Sequence, residues 1–193
     1  MNKDCLEAFQ NTFDNDLFTY ASNDNFLSYL ISEDGKNGYK LTIKFRVKDD
    51  YAISFRIENI KSKANYLKGG ERSAGKDNDY TIIDDAIYQF EIKKTKRLKN
   101  SHPEKQLQGG EKWLRHLLTL VASQNPNLTD NLELPVYNIV IQSRTSLSHS
   151  NSIKYDGTKY ILIINSAEKS IDLTKIKRRL INNPKSSHNL KLI

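Results

Sequence analysis

Apolar and polar residues alternate most regularly over residues 39–47, where Leu41, Ile43, Phe45 and Val47 are interleaved with Lys40, Thr42, Lys44 and Arg46. A period of two marks a strand with one face buried. Residues 51–60 place Ile53, Phe55 and Ile57 on one face and predict a second strand, antiparallel to the first across the turn Lys48-Asp49-Asp50. Residues 3–31 follow a different rhythm. Leu6, Phe9 and Phe13, then Leu17, Phe18, Phe26, Leu27, Leu30 and Ile31 recur at helical spacing, which predicts two helical pieces broken at Asn23-Asp24-Asn25. Asp34-Gly35 and Asn37-Gly38 predict the turn that follows.

Further along, residues 61–78 are polar, contain Gly69-Gly70 and Gly75, and read as a long loop from which Lys68, Arg72 and Lys76 can reach phosphate. Two short strands, residues 80–83 and 87–95, are separated by the turn Asp84-Asp85-Ala86 and predict a hairpin. Ser101 and Glu104 form a capping-box signature for a helix that runs to just before Pro126, with Leu107, Leu114, Leu117, Leu118 and Val121 inward. Gly109-Gly110 within it costs about 1 kcal/mol per residue relative to alanine, which points to close packing on the sheet or a backbone near substrate. The apolar run at residues 134–142 predicts a strand buried on both faces. A strand at 159–165, a helix at 172–182 and a basic tail at 185–193 complete an α/β (α+β) chain with a mixed sheet flanked by helices. At 193 residues the chain is expected to form a single domain, opened by an acidic helical segment at 1–34.

Chemistry concentrates in the hairpin. Side chains alternate across a strand, so Glu91 and Lys93 share one face with Ile87 and Gln89. Pairing of the two strands brings Asp79 to the Glu91 end, and two carboxylates meet one ammonium. An Asp opening one strand and Glu-x-Lys on the next resembles the PD-(D/E)XK nuclease superfamily, over roughly residues 40–143. Asn78 stands where the family's proline would be. The resemblance implies a restriction-endonuclease-like αβββαβ core, here with an added strand and a C-terminal helix. It implies Asp79, Glu91 and the Ile92 carbonyl as ligands of Mg²⁺ or Mn²⁺, hard cations suited to oxygen donors. Lys93 would position the attacking water or stabilise developing negative charge. Gln106 and Gln108 loosely match the polar residue that the following helix presents to such sites, and Gln106 is taken as the site residue. Glu7 matches an acid that members carry on the leading helix; read alone it is a solvated surface glutamate. Asp84 and Asp85 are fallback ligands.

Charge changes the picture next. Residues 1–34 hold seven acids against one base, so the formal +7 of the whole chain conceals +13 over the remainder. A basic body suits a polyanion, because neutralising phosphate releases counterions. Lys94, Lys96, Arg97 and Lys99 are the densest basic cluster and are expected to contact nucleic-acid backbone, with Lys112 and Arg115 facing the same groove. Cys5 stands alone, so disulfides and cysteine zinc sites within the chain are excluded. No apolar run reaches the ~18–20 residues of a membrane span, and the opening residues lack a signal-peptide layout. The expectation is a cytoplasmic metal-dependent endonuclease, acting on DNA ahead of RNA, in restriction, anti-phage defence or mobile-element processing. Two other readings stand beside it: an RNase toxin domain with an acidic inhibitor protein, and a non-catalytic nucleic-acid-binding module on the same fold. A homodimer would supply two sites for two strands.

Overall fold

The computed structural model describes residues 3–21, 24–33, 39–64, 75–93, 102–125, 128, 132–144, 152–165, 170–181 and 188–189. These form a mixed α+β structure: a mixed sheet flanked by helices, with a second small sheet. The elements are α1 (Lys3–Thr12), β1 (Phe18–Tyr20), β2 (Phe26–Glu33), β3 (Tyr39–Arg46), β4 (Ile53–Phe55), α2 (Ile57–Ser62), β5 (Tyr80–Ile83), β6 (Ile87–Lys93), α3 (Pro103–Gln124), β7 (Pro135–Arg144), β8 (Ser152–Tyr155), β9 (Tyr160–Asn165), β10 (Ser170–Asp172), α4 (Leu173–Ile181) and β11 (His188–Asn189). The larger sheet runs β1-β4-β5-β6-β7-β9-β8, and β11 pairs with the start of β7; the smaller runs β10-β3-β2. The β6–β7 and β7–β9 pairs are parallel, while β4–β5, β5–β6 and β8–β9 are antiparallel. Among the described residues no helix is long and apolar enough to cross a membrane.

Each face of the larger sheet has its own core. On one face Tyr80, Ile82, Tyr88 and Phe90 pack with Ile43 and Phe45 of the small sheet and with Leu173, Ile176 and Leu180 of α4. On the other, Ile53, Ile83, Ile87 and Val136 meet Phe9 of α1 and Leu114, Leu117, Leu118 and Val121 of α3. Leu114 is fully buried, and truncating such a leucine to alanine costs roughly 2–5 kcal/mol.

Several expectations are corrected. The helical reading of residues 3–31 holds only for α1; β1 and β2 occupy the second piece. Leu27 and Tyr29 are buried while Phe26 and Ser28 are exposed, a period of two that the four-residue spacing of Leu27 and Ile31 also accommodates. Pairing decides between the two periods: β2 forms an antiparallel ladder with β3 from Phe26↔Arg46 to Glu33↔Tyr39. The strand expected over 51–60 is only three residues long, and α2 follows because Ile57, Ile60 and Lys61 bury at i, i+3, i+4. Accordingly β3 does not pair with β4 but lies in the separate small sheet. The acidic segment 1–34 is therefore only partly helical, and within the expected basic tail His188–Asn189 pairs with Val136 and Pro135.

Helix α3 begins at Pro103, whose missing N–H falls where the helix needs none. Its N-cap is His102, in a left-handed conformation (φ 42°) with no side-chain cap, instead of the expected Ser101, which lies outside the described residues. Gly109 and Gly110 serve close packing. A Cβ on Gly109 would stand 1.9 Å from the Lys76 carbonyl oxygen, and one on Gly110 would stand 1.9 Å from Asn78 Oδ1. The helix thus presses onto the segment that leads into β5.

Candidate active site at the open end of the β5–β6 hairpin

The β5–β6 ladder runs from Ile83↔Ile87 to Tyr80↔Phe90, so Asp79 lies opposite Glu91, one step past the last paired residues. Opposed side chains share a face and stand ~4.5–5.5 Å apart at Cβ. Asp79 is fixed by its own hydrogen bond: Oδ2 accepts the Ile92 N–H at 2.7 Å. The N–H and carbonyl of one strand residue point to the same edge, so the Ile92 carbonyl faces the Asp79 edge as well.

Glu91 is fully buried. Lys93 forms an ion pair with Glu91 Oε1. Neither Glu91 oxygen otherwise accepts a hydrogen bond of good geometry among the described residues. Burial first, and the Asp79 charge second, push its carboxyl up to about 7; Lys93 opposes this, and the Asp79 main chain does so more weakly. Burial also raises Asp79, against the Ile92 N–H and the Lys93 and Arg56 charges. Lys93 Nζ in turn donates to Gln106 Oε1 at 3.2 Å, which ties the strand to the first turns of α3. Asp79, Glu91, Lys93 and Gln106 therefore form one connected cluster.

A cleft of about 350 Å³ opens beside it, with Asp79, Gln106, Asn78, Lys76 and Glu58 among its lining residues. Its floor is rigid. Asn78, buried, donates to the Tyr80 carbonyl at 2.7 Å and to Thr81 Oγ1 at 3.0 Å, and accepts from Gln89 Nε2 at 3.1 Å. Lys61, also buried, places Nζ 2.9 Å from the Gly75 carbonyl and 2.8 Å from Asp77 Oδ2, while lying 5.5 Å from the Trp113 ring centre. Losing one partner of a buried ion pair costs roughly 3–5 kcal/mol, so Lys61 and Asp77 anchor the segment that delivers Asp79.

Other expected site residues lie elsewhere. Asp84 and Asp85 occupy the opposite end of the hairpin, four or more strand residues from Glu91, or at least ~13 Å. The expectation of a solvated turn fails for Asp84: it is fully buried and accepts the N–H groups of Lys48 (2.8 Å) and Asp49 (3.0 Å). Asp85 pairs with Lys177 at 2.9 Å and accepts from the Tyr88 hydroxyl at 3.1 Å. Both are committed to partners at that end, away from Glu91. Glu7 is an exposed partner of Lys3 on α1, at 3.1 Å. Lys112 and Arg115 sit six and nine residues beyond Gln106, ~9 and ~13 Å along α3. Lys112 is exposed, and Arg115 pairs with Glu111 at 3.6 Å; neither lines the cleft. Lys68, Arg72, Lys94, Lys96, Arg97 and Lys99 lie outside the described residues.

Two residues beside the site were not singled out from the sequence. Arg56 and Glu58 flank the start of α2, and both act electrostatically on Asp79. Reading residues 51–60 as one strand hid them. The helical spacing of Ile57, Ile60 and Lys61 was the signal available.

Among the described residues no three His, Cys, Asp or Glu side chains stand close enough to hold a metal ion together. The acidic pair alone is a small donor set, suited to a cation that keeps several waters. Two buried, acceptor-only oxygens on Glu91 with so little hydrogen bonding fit such a cation. No protein-family model, curated protein or solved structure matches the chain.

Proposed function

We propose that the protein is a metal-dependent endonuclease of the PD-(D/E)XK type, hydrolysing phosphodiester bonds of nucleic acid, with DNA ahead of RNA. The observation that carries this reading is the under-bonded carboxylate of Glu91, buried beside Asp79 and in contact with Lys93. A carboxylate in that position costs stability unless a cation completes it. In the larger sheet β4, β5 and β6 are antiparallel neighbours, and β7 pairs parallel with β6 after α3. This supports the reading as the βββαβ part of the family's αβββαβ order, with β1–β3 set between α1 and β4 and α2 between β4 and β5.

Asp79 and Glu91 would hold Mg²⁺ or Mn²⁺, with the Ile92 carbonyl on the same edge as a further oxygen. Bound there, the cation supplies Lewis-acid stabilisation of the phosphoryl group and acidifies a water. The remaining roles belong to the chain. Asp79, held by the Ile92 N–H, keeps its second oxygen directed by a fixed carboxyl plane. Lys93 offers an ammonium at the charge-bearing position, where it orients water or donates to a phosphoryl oxygen as negative charge grows. Gln106 holds that ammonium at the helix end of the cleft, which reduces the reorganisation needed during reaction. The basic excess outside residues 1–34 suits a polyanionic substrate.

The test is plasmid cleavage by purified protein with Mg²⁺, with Mn²⁺ and with EDTA, and cleavage of RNA of matching sequence alongside. Nicking or cutting that needs either cation supports the reading. Undiminished cleavage in EDTA overturns the metal mechanism, and a preference for RNA reverses the substrate order.

A further inference from the structure

Arg56 occupies the extended residue between β4 and α2 (φ −104°, ψ 124°), two residues before Glu58, which lines the cleft. Its guanidinium lies 5.9 Å over the Tyr29 ring. That ring stacks on Tyr80, with centroids 4.4 Å apart and planes 20° from parallel. Tyr80 follows Asp79 in the chain, and its hydroxyl is held by Ser54 Oγ at 2.7 Å. Two stacked rings, one on the larger sheet and one on the small sheet, therefore back the guanidinium. The Arg56 charge lowers the carboxyl of Asp79, and the Glu58 charge raises it, so both act electrostatically on that carboxylate.

The guanidinium is incompletely used. Its Nη2 lies 2.5 Å from Glu58 Oε2, whereas Nε is buried and meets no acceptor among the described residues. The Arg56 and Glu58 side chains remain 41% and 55% exposed, so their ion pair is screened and readily exchanged. A planar guanidinium with spare donors and an aromatic backing matches the fork geometry of a phosphate.

We propose that Arg56 is a phosphate-binding residue for the nucleic-acid backbone entering the cleft, and that Glu58 occupies it until substrate arrives. The ligand is a phosphodiester of DNA. It exchanges with the Glu58 carboxylate, so the guanidinium keeps an anionic partner throughout, and the displaced Glu58 turns to solvent. Glu58 also lines the cleft, where its charge repels an approaching backbone. Removing that charge should therefore strengthen binding. This inference rests on the nuclease reading for its choice of ligand.

The experiment is fluorescence anisotropy with a labelled DNA duplex in EDTA, for wild type, Arg56→Met, Arg56→Lys and Glu58→Gln, over a range of salt. Arg56→Met should weaken binding about tenfold and flatten the slope of log K against log salt by about 1. Arg56→Lys should recover part of the affinity and all of the slope. Glu58→Gln, a change at an exposed side chain that leaves the fold intact, should bind about threefold more tightly. Affinity and slope unchanged in Arg56→Met overturn the phosphate site. Equal or weaker binding by Glu58→Gln overturns the competition. Cleavage is read separately: Arg56-dependent binding by a protein that never cuts overturns the nuclease reading alone, and normal cutting with Arg56-independent binding overturns only this inference.

Discussion

The main-chain N–H of Ile92 donates to the carboxylate of Asp79 at 2.7 Å, across the open end of the β5–β6 hairpin. That bond continues the ladder one step beyond Tyr80↔Phe90. It also sets Asp79 beside Glu91 with a carboxyl plane fixed by the backbone. Structure and proposed chemistry thus share one group, which lets substitution separate them.

Asp79→Asn keeps an acceptor oxygen for Ile92 and loses only the charge. It should retain stability within about 0.5 kcal/mol, while cleavage falls by at least about a hundredfold. Asp79→Ala also loses the acceptor and should be less stable by about 1–2 kcal/mol. Urea unfolding beside plasmid cleavage distinguishes the two losses.

Glu91 makes the metal-free protein sensitive to pH. Burial raises its folded-state carboxyl to about 7, above the ordinary glutamate range, so the folded chain binds more protons than the unfolded chain between that range and about 7. Stability from this source is complete below about pH 4.5 and declines as pH rises through about 7. Glu91→Gln cannot ionise. In EDTA at pH 8 it should be more stable than wild type, by on the order of 2–3 kcal/mol, and at pH 4.5 the two should coincide. Urea melts at both pH values check this, and Mg²⁺ should restore wild type without affecting the variant.

Gly109 tests whether the press of α3 on the β5 leader matters. A methyl group there meets the Lys76 carbonyl oxygen at 1.9 Å, so main chain has to move. Gly109→Ala should destabilise by about 1–3 kcal/mol, although alanine favours an isolated helix by about 1 kcal/mol. Gln108→Ala, at an exposed neighbour, should change stability by less than about 0.5 kcal/mol. Thermal unfolding of the three proteins gives the comparison.

Asp84 separates structural from chemical carboxylates. Asp84→Ala strips two main-chain N–H groups of their acceptor and should cost about 2–4 kcal/mol. Cleavage per folded molecule should stay at the wild-type level, measured below the melting transition.

Asp79, Glu91 and Lys93 were legible in the sequence because a hairpin obeys local rules. Period two sets the faces, and Asp84-Asp85-Ala86 marks the turn. Helix α3 was legible for a similar reason, through Leu107, Leu114, Leu117, Leu118 and Val121. Residues 18–33 were misread because Leu27 and Ile31, four residues apart, satisfy two periods at once, and only the ladder with β3 chooses between them. Residues 51–60 were misread because Ile53, Phe55 and Ile57 alternate across a boundary at Arg56 where the backbone leaves the strand. The burial of Asp84 was invisible, since its partners Lys48 and Asp49 lie more than thirty residues away. The Lys61–Asp77 anchor was equally hidden, because its two halves lie on either side of a long polar segment.

The most direct measurement is the rate of supercoiled-plasmid nicking in Mg²⁺ by wild type, Glu91→Gln, Lys93→Met and Asp85→Ala, each confirmed folded by circular dichroism. Metal binding by two carboxylates with Lys93 beside them predicts nicking by wild type and Asp85→Ala, and loss of at least about a hundredfold in Glu91→Gln and Lys93→Met. Nicking by Glu91→Gln and Lys93→Met at the wild-type rate would contradict it.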